Sequence, residues 1–101
     1  MQRLRDQYRA SAPRLVAPLR ETAVVLAADP QSGDALAALR AAAHRLRGTA
    51  GSYGFMQVSE VAGAFEGQVT RWQTDPSAEV ASRAAIVTSV ADALEAAFGA
   101  S

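Results

Sequence analysis

Six apolar residues between Leu36 and Tyr53 recur at spacings of 3, 4, 3, 4 and 3: Leu36, Leu39, Ala43, Leu46, Ala50 and Tyr53. An α-helix returns to the same face every 3.6 residues, so this register describes one helix with a continuous apolar seam. A strand needs alternation with a period of two, and no segment of the chain carries it convincingly. Half of the 101 residues are apolar, alanine dominates, and aromatic residues make up 6%. That composition favours helix and leaves little material for sheet.

Further seams follow the same rule. Val16, Leu19, Ala23 and Leu26 predict a helix over about Pro13 to Ala28, and Val58, Val61, Phe65, Val69 and Trp72 predict one over about Gln57 to Trp72. Val80, Val87, Ala91, Leu94 and Phe98, with Ala84 filling the gap, predict a last helix from about Pro76 to Phe98, capped by Asp75. Residues 3–10 form a short first helix with Leu4 and Tyr8 on one face, and Ser11-Ala-Pro13 reads as a break and restart with serine as the cap. Pro18 is awkward, because a proline deep in a helix costs roughly 3 kcal/mol. It implies either a kink or a regular helix that begins near it. Asp29 to Asp34 reads as a turn, and Gly54 sits where a helix over Asp34 to Tyr53 would need a C′ glycine. Short connections make successive helices antiparallel neighbours. The expected fold is all-α, an antiparallel up-down four-helix bundle with a short additional N-terminal helix, spanning residues 1–101 as one domain.

Charge and cysteine content narrow the function classes. Ten arginines balance ten acids, with no lysine and no dense basic block, which argues against nucleic-acid binding. With no cysteine there is no disulfide, thiolate metal site or cysteine nucleophile. No apolar run is long enough for a membrane span and no signal-peptide pattern opens the chain, so the expected setting is the cytoplasm.

The candidate chemistry centres on the only histidine, His44. On a helical wheel the apolar seam falls roughly 80° to 180° away from it, so His44 points to solvent. Ala37, Arg40, Ala41, Arg47, Gly48 and Gly51 lie within roughly 60° of it. Four of these six have a methyl group or no side chain. A mid-helix glycine costs about 1 kcal/mol relative to alanine, so two of them beside one exposed imidazole imply a surface that must come close to the ring. Arg40 at i−4 and Arg47 at i+3 are placed to take phosphoryl oxygens through paired charge-assisted hydrogen bonds. A histidine nucleophile needs one neutral nitrogen with a free lone pair. Ser52 lies about 80° round the helix, and no acid is evidently placed to orient the ring, so a Ser-His-Asp set is poorly supported. A metal or haem bundle is equally poorly supported by one histidine and no cysteine. Phe65 and Trp72 read as core. The plain alternative is a helical interaction module whose histidine is incidental.

The run His44-Arg-Leu46-Arg47-Gly48, followed by Ala50, Tyr53 and Gly54, resembles the signature of histidine-containing phosphotransfer domains, and the five-helix layout extends that resemblance over essentially the whole chain. The resemblance implies a four-helix bundle that relays phosphoryl groups between receiver-domain aspartates. It implies His44 as phospho-acceptor through Nε2, and Arg47, where the family commonly has lysine, as the residue that stabilises the phosphoryl group. It implies Gly48 as the space left for the receiver and Leu46 as packing. Ala41, Gly48 and Gly51 are the docking candidates. The expected partners are a response-regulator receiver domain, a hybrid histidine kinase, or both. The chain then needs no cofactor of its own, because the receiver supplies Mg²⁺, and it acts as a phosphocarrier without ATP-dependent activity. The phosphorylatable N-terminal module of a chemotaxis-type histidine kinase fits the same signature.

Overall fold

The computed structural model describes residues 2–100. It contains five helices: α1 (Gln2–Ala10), α2 (Ala12–Ala28), α3 (Gly33–Ser52), α4 (Met56–Thr74) and α5 (Arg83–Ala100), with no strand among the described residues. Helices α2 to α5 form an antiparallel bundle, and the molecule with α1 measures 43 × 20 × 19 Å. The closest packing is between α3 and α4 and between α2 and α5. The expected fold class is the observed one.

The core is built mainly from the predicted seams, joined by Phe55 and Ala62, while Val61 and Tyr53 of those seams are only half-buried. Val16, Leu19 and Leu26 of α2, Leu36, Leu39 and Leu46 of α3, Val58, Phe65, Val69 and Trp72 of α4, and Val87, Leu94 and Phe98 of α5 are all buried. Burying each such side chain stabilises the fold by about 1.5–3 kcal/mol before entropy is counted. Tyr8, Tyr53, Phe55 and Phe98 close one end of the bundle, with Tyr8 stacked on Tyr53 at 4.7 Å and Phe55 against Phe98 at 5.6 Å. Phe65 and Trp72 meet edge-on at 6.1 Å towards the other end.

The end of α3 follows the sequence reading. Gly54 takes φ +81°, the left-handed conformation that only glycine adopts without strain. The Gly54 N–H donates to the Gly51 carbonyl at 3.1 Å and the Phe55 N–H to the Ala50 carbonyl at 2.8 Å, the two bonds of a Schellman ending. This turns the chain sharply and drops Phe55 into the core, which fixes where α4 begins.

Two local expectations fail. Ser11 does not cap α2: it keeps a helical conformation, and its hydroxyl donates back to the Tyr8 carbonyl. Helices α1 and α2 are therefore separated by one residue. α2 is regular from Ala12, with the exposed Pro18 inside it, so the helix does not begin near that proline. On α1, Tyr8 is half-buried but Leu4 stays exposed.

The larger correction concerns the last helix. It begins at Arg83, not Pro76, and residues 76–82 form a turn in which Val80 joins no helical stripe. Asp75 does act as a local cap, but of a tight turn: its carboxylate accepts from the Ser77 N–H at 3.1 Å and hydroxyl at 2.8 Å. Glu79 has φ +53°, costly for a residue with a Cβ. Its carboxylate accepts from the Trp72 indole N–H at 3.0 Å and pairs with Arg71. Arg83 is 1% exposed and donates to four backbone carbonyls, those of Ala78 (3.0 Å), Pro30 (2.6 Å), Asp75 and Pro76 (3.2 Å each). One guanidinium thus ties the α4–α5 connection to the α2–α3 turn, and carbonyls that a continuing helix would have used are consumed by it.

Two carboxylates of this turn titrate low. The Ser77 hydrogen bonds hold Asp75 below its ordinary value, and the Trp72 indole, then Gln68, do the same for Glu79. A folded-state value below the unfolded one gives stability that is present above the ordinary carboxylate range and lost as the pH falls through it. Trp72 fluorescence should therefore change below about pH 4, ahead of the loss of helical circular dichroism. Coincident transitions would show that the turn does not release first.

Candidate functional site

α3 places His44 on its outward face with the side chain 65% exposed, as the wheel predicts. Its Nδ1 lies 2.9 Å from Oε2 of Glu66 on α4. A carboxylate can only accept, so the proton of this bond belongs to Nδ1. In the neutral imidazole this leaves Nε2 with its lone pair free towards solvent. The expectation that no acid orients the ring is thereby overturned. The acid comes from the neighbouring helix, 22 residues further on.

Glu66 is shared. Its Oε1 is out of solvent, makes no hydrogen bond, and lies 3.3 Å from Nη1 of Arg47. The carboxylate side chain is 17% exposed and sits between the imidazole and the guanidinium. The stem of Arg47 runs over Gly63 of α4, where a Cβ would come within 3.0 Å of Arg47 Cδ. Gly63 thus gives Arg47 its path to Glu66. Ser59, one turn earlier, donates from its hydroxyl to the Arg47 carbonyl at 2.9 Å and fastens α3 to α4 beside the site.

The other predicted residues divide between two flanks. Ala37, Arg40, Ala41 and His44 line an open groove of about 380 Å³ closed by Glu66 and Gln73 of α4, and Arg40 Nη1 donates to Gln73 Oε1 at 3.5 Å. Gly48 is exposed, with nothing within 4 Å of where a Cβ would stand. Gly51 is half-buried and faces α4, its Cβ position 3.5 Å from Ser59 Oγ. Open space at the ring therefore comes from Gly48 more than from Gly51. Ser52 donates its hydroxyl to the Gly48 carbonyl at 3.1 Å and stays out of the chemistry. Phe65 and Trp72 are buried core.

Glu66 and Gly63 were missed by sequence reasoning, though a signal existed. Gly63 and Gly67 bracket Glu66 on α4, and mid-helix glycines beside a charged residue carry the same cost that drew attention to His44. Among the described residues, no group of three or more His, Cys, Asp or Glu side chains is placed to hold a metal ion, and no helix is long and apolar enough to cross a membrane.

A half-shielded carboxylate thus orients an exposed histidine on a four-helix bundle, with cleared space beside the ring. The family model for the Hpt domain matches residues 3–100, and the chain belongs to that family. Hpt domains are phosphocarrier modules of two-component phosphorelays, which work with receiver domains and histidine kinases. No curated protein and no solved structure matches the chain.

Proposed function

We propose that His44 is the phospho-acceptor, taking a phosphoryl group on Nε2 from a receiver-domain aspartate or a histidine kinase and passing it on. The observation that supports this most is the 2.9 Å bond from Nδ1 to Glu66, which favours the neutral tautomer with Nε2 unprotonated and outward. In the transfer, the Nε2 lone pair forms the new N–P bond as the P–O bond to the donor carboxylate breaks, and the electron pair of that bond leaves on the aspartate. The ring gains positive charge as it is phosphorylated. Glu66 faces the Nδ1–H and offsets that charge without taking the proton. Arg47 and Arg40, on the same flank, are placed to receive phosphoryl oxygens. When bound in the complex, a Mg²⁺ carried by the receiver supplies further charge neutralisation at the phosphoryl group. Ala41 and Gly48, with Gly51 at the margin, form the docking surface, and the cytoplasm is the setting that fits this partnership.

The test is incubation of the purified domain with a panel of labelled phospho-receivers and autophosphorylated histidine kinases, beside a His44→Gln control. Acid-labile, alkali-stable label on the wild type but not on the control is the expected result. No label from any donor on a bundle shown to be folded would return the chain to the class of plain interaction modules.

A further inference from the structure

α3 packs far more extensively on α4 than on α2, which leaves a groove of about 240 Å³ along the α2–α3 seam. Leu15 and Pro18 of α2 and Ala42 and Leu46 of α3 give it apolar walls, and the hydrogen-bonded hydroxyls of Tyr8 and Thr49, 2.8 Å apart, close one end. Arg14 and Arg45 also line it, one from each helix, and no carboxylate does. These two arginines differ from most others in the chain. Arg5, Arg20, Arg40, Arg47, Arg71 and Arg83 each hold a carbonyl, an amide or a carboxylate. The guanidinium groups of Arg14 and Arg45 have no hydrogen-bond or ion-pair partner among the described residues.

The groove is also continuous with the phosphotransfer face. Arg45 follows His44 directly and Thr49 follows Gly48, and Arg45 and Gly48 lie about 60° apart on the wheel, on the flank away from α4. A partner that reaches His44 over Gly48 therefore overlies this groove.

We infer that the α2–α3 groove selects the partner: it receives an apolar side chain of the docking receiver domain, flanked by carboxylates that pair with Arg14 and Arg45. This rests on the phosphocarrier reading of His44. An apolar floor with unpaired cations at its edge fits an acidic, partly apolar surface. Rim charges of this kind act mainly on the encounter rate and on its salt dependence.

The test uses the receiver domain that phosphorylates His44 fastest, the full chain, and an Arg14→Gln/Arg45→Gln double variant. Both residues are exposed, so the variant keeps its fold. Phosphoramidate, a small donor that needs no docking face and releases ammonia as the N–P bond to His44 forms, gives the reference. The expected result is a fall of about tenfold in kcat/KM with the receiver, carried by KM, and a weaker salt dependence than the wild type. The kcat and the labelling by phosphoramidate should stay unchanged. An unchanged KM and salt dependence, with normal labelling of His44, would overturn the groove and leave the phosphocarrier reading intact. A concentration-dependent dimer abolished by the double variant would assign the groove to a second copy of the chain and overturn the inference as well. If no receiver or kinase labels His44, the underlying reading fails first, and the groove's role falls with it.

Discussion

Replacing Gly48 by tryptophan should leave a folded bundle that transfers phosphoryl groups at least about 100-fold more slowly, since displacement of reacting groups by about 1 Å already costs that much. Gly48 is exposed and a Cβ there meets nothing within 4 Å, so the molecule itself has no objection to a side chain. Helical side chains lean towards the preceding turn, onto the residue at i−4, which here is His44. An indole at position 48 would therefore stand over the free nitrogen and in the partner's path. Gly48→Ala separates the two effects. It should raise stability by about 0.5–1 kcal/mol, because glycine in a helix loses the most backbone freedom on folding, and should slow transfer far less. Thermal melts and single-turnover transfer rates on both variants check this. A folded Gly48→Trp protein with normal transfer would show that no partner closes over this face.

Arg83→Ala should cost about 3 kcal/mol, lowering the melting temperature by roughly 12–24 °C. Four carbonyls lose the guanidinium at once; Asp75 keeps the Ala78 N–H and Pro76 the Gln31 amide, so the loss falls on the carbonyls of Pro30 and Ala78, in a place where only 1% of Arg83 is open to water. Each abandoned buried acceptor carries a penalty of about 1–3 kcal/mol, reduced where water enters the space the guanidinium vacates. Trp72 loses the cation 5.4 Å from its ring as well. Arg83→Met keeps the stem and removes the donors, and should cost nearly as much as alanine. Arg83→Lys should recover only part, because a single ammonium cannot span the carbonyls that the planar fork reaches. Loss of stability in the lysine and methionine variants as small as that of an ordinary surface change would sink the claim that this residue pins the two connections at this end of the bundle together. His44 lies in the middle of α3 while Arg83 acts on the turn before α3 and on the α4–α5 connection, so phosphotransfer by whatever fraction remains folded should be normal.

The placement of Arg83 also explains where sequence reasoning went wrong on the fold. Asp75-Pro76 carries the pattern of a helix start, and Val80 falls in register with Val87. Local propensity for a start was real, and Asp75 does cap, but it caps a turn. What sets the start of α5 is a guanidinium that needs carbonyls from Pro30 as well as from residues 75, 76 and 78. Pro30 is 53 residues away. No window of sequence around Asp75 contains that demand.

The candidate site divides along the same line. The residues of α3 were legible because a helix is periodic: Leu36 to Ala50 fixed the buried face, and His44, Arg40, Arg47 and Gly48 had to share the opposite one. Gly54 was legible too, since its φ of +81° is a requirement that glycine alone meets without strain. Both depend on interactions within about one turn of the chain. Glu66, Gly63 and Arg83 depend on distances between helices. Whether an acid on α4 reaches the Nδ1 of His44 is decided by how closely α3 and α4 approach and at what rotation, and that follows from the packing of both cores together. The sequence by itself determined the helices, their buried faces, the exposed histidine and the cleared space beside it, because these are local and periodic. Only the tertiary structure decided which nitrogen of His44 is free, which carboxylate holds the other, and where the last helix begins, because each of those is a contact between residues the chain brings together only by folding.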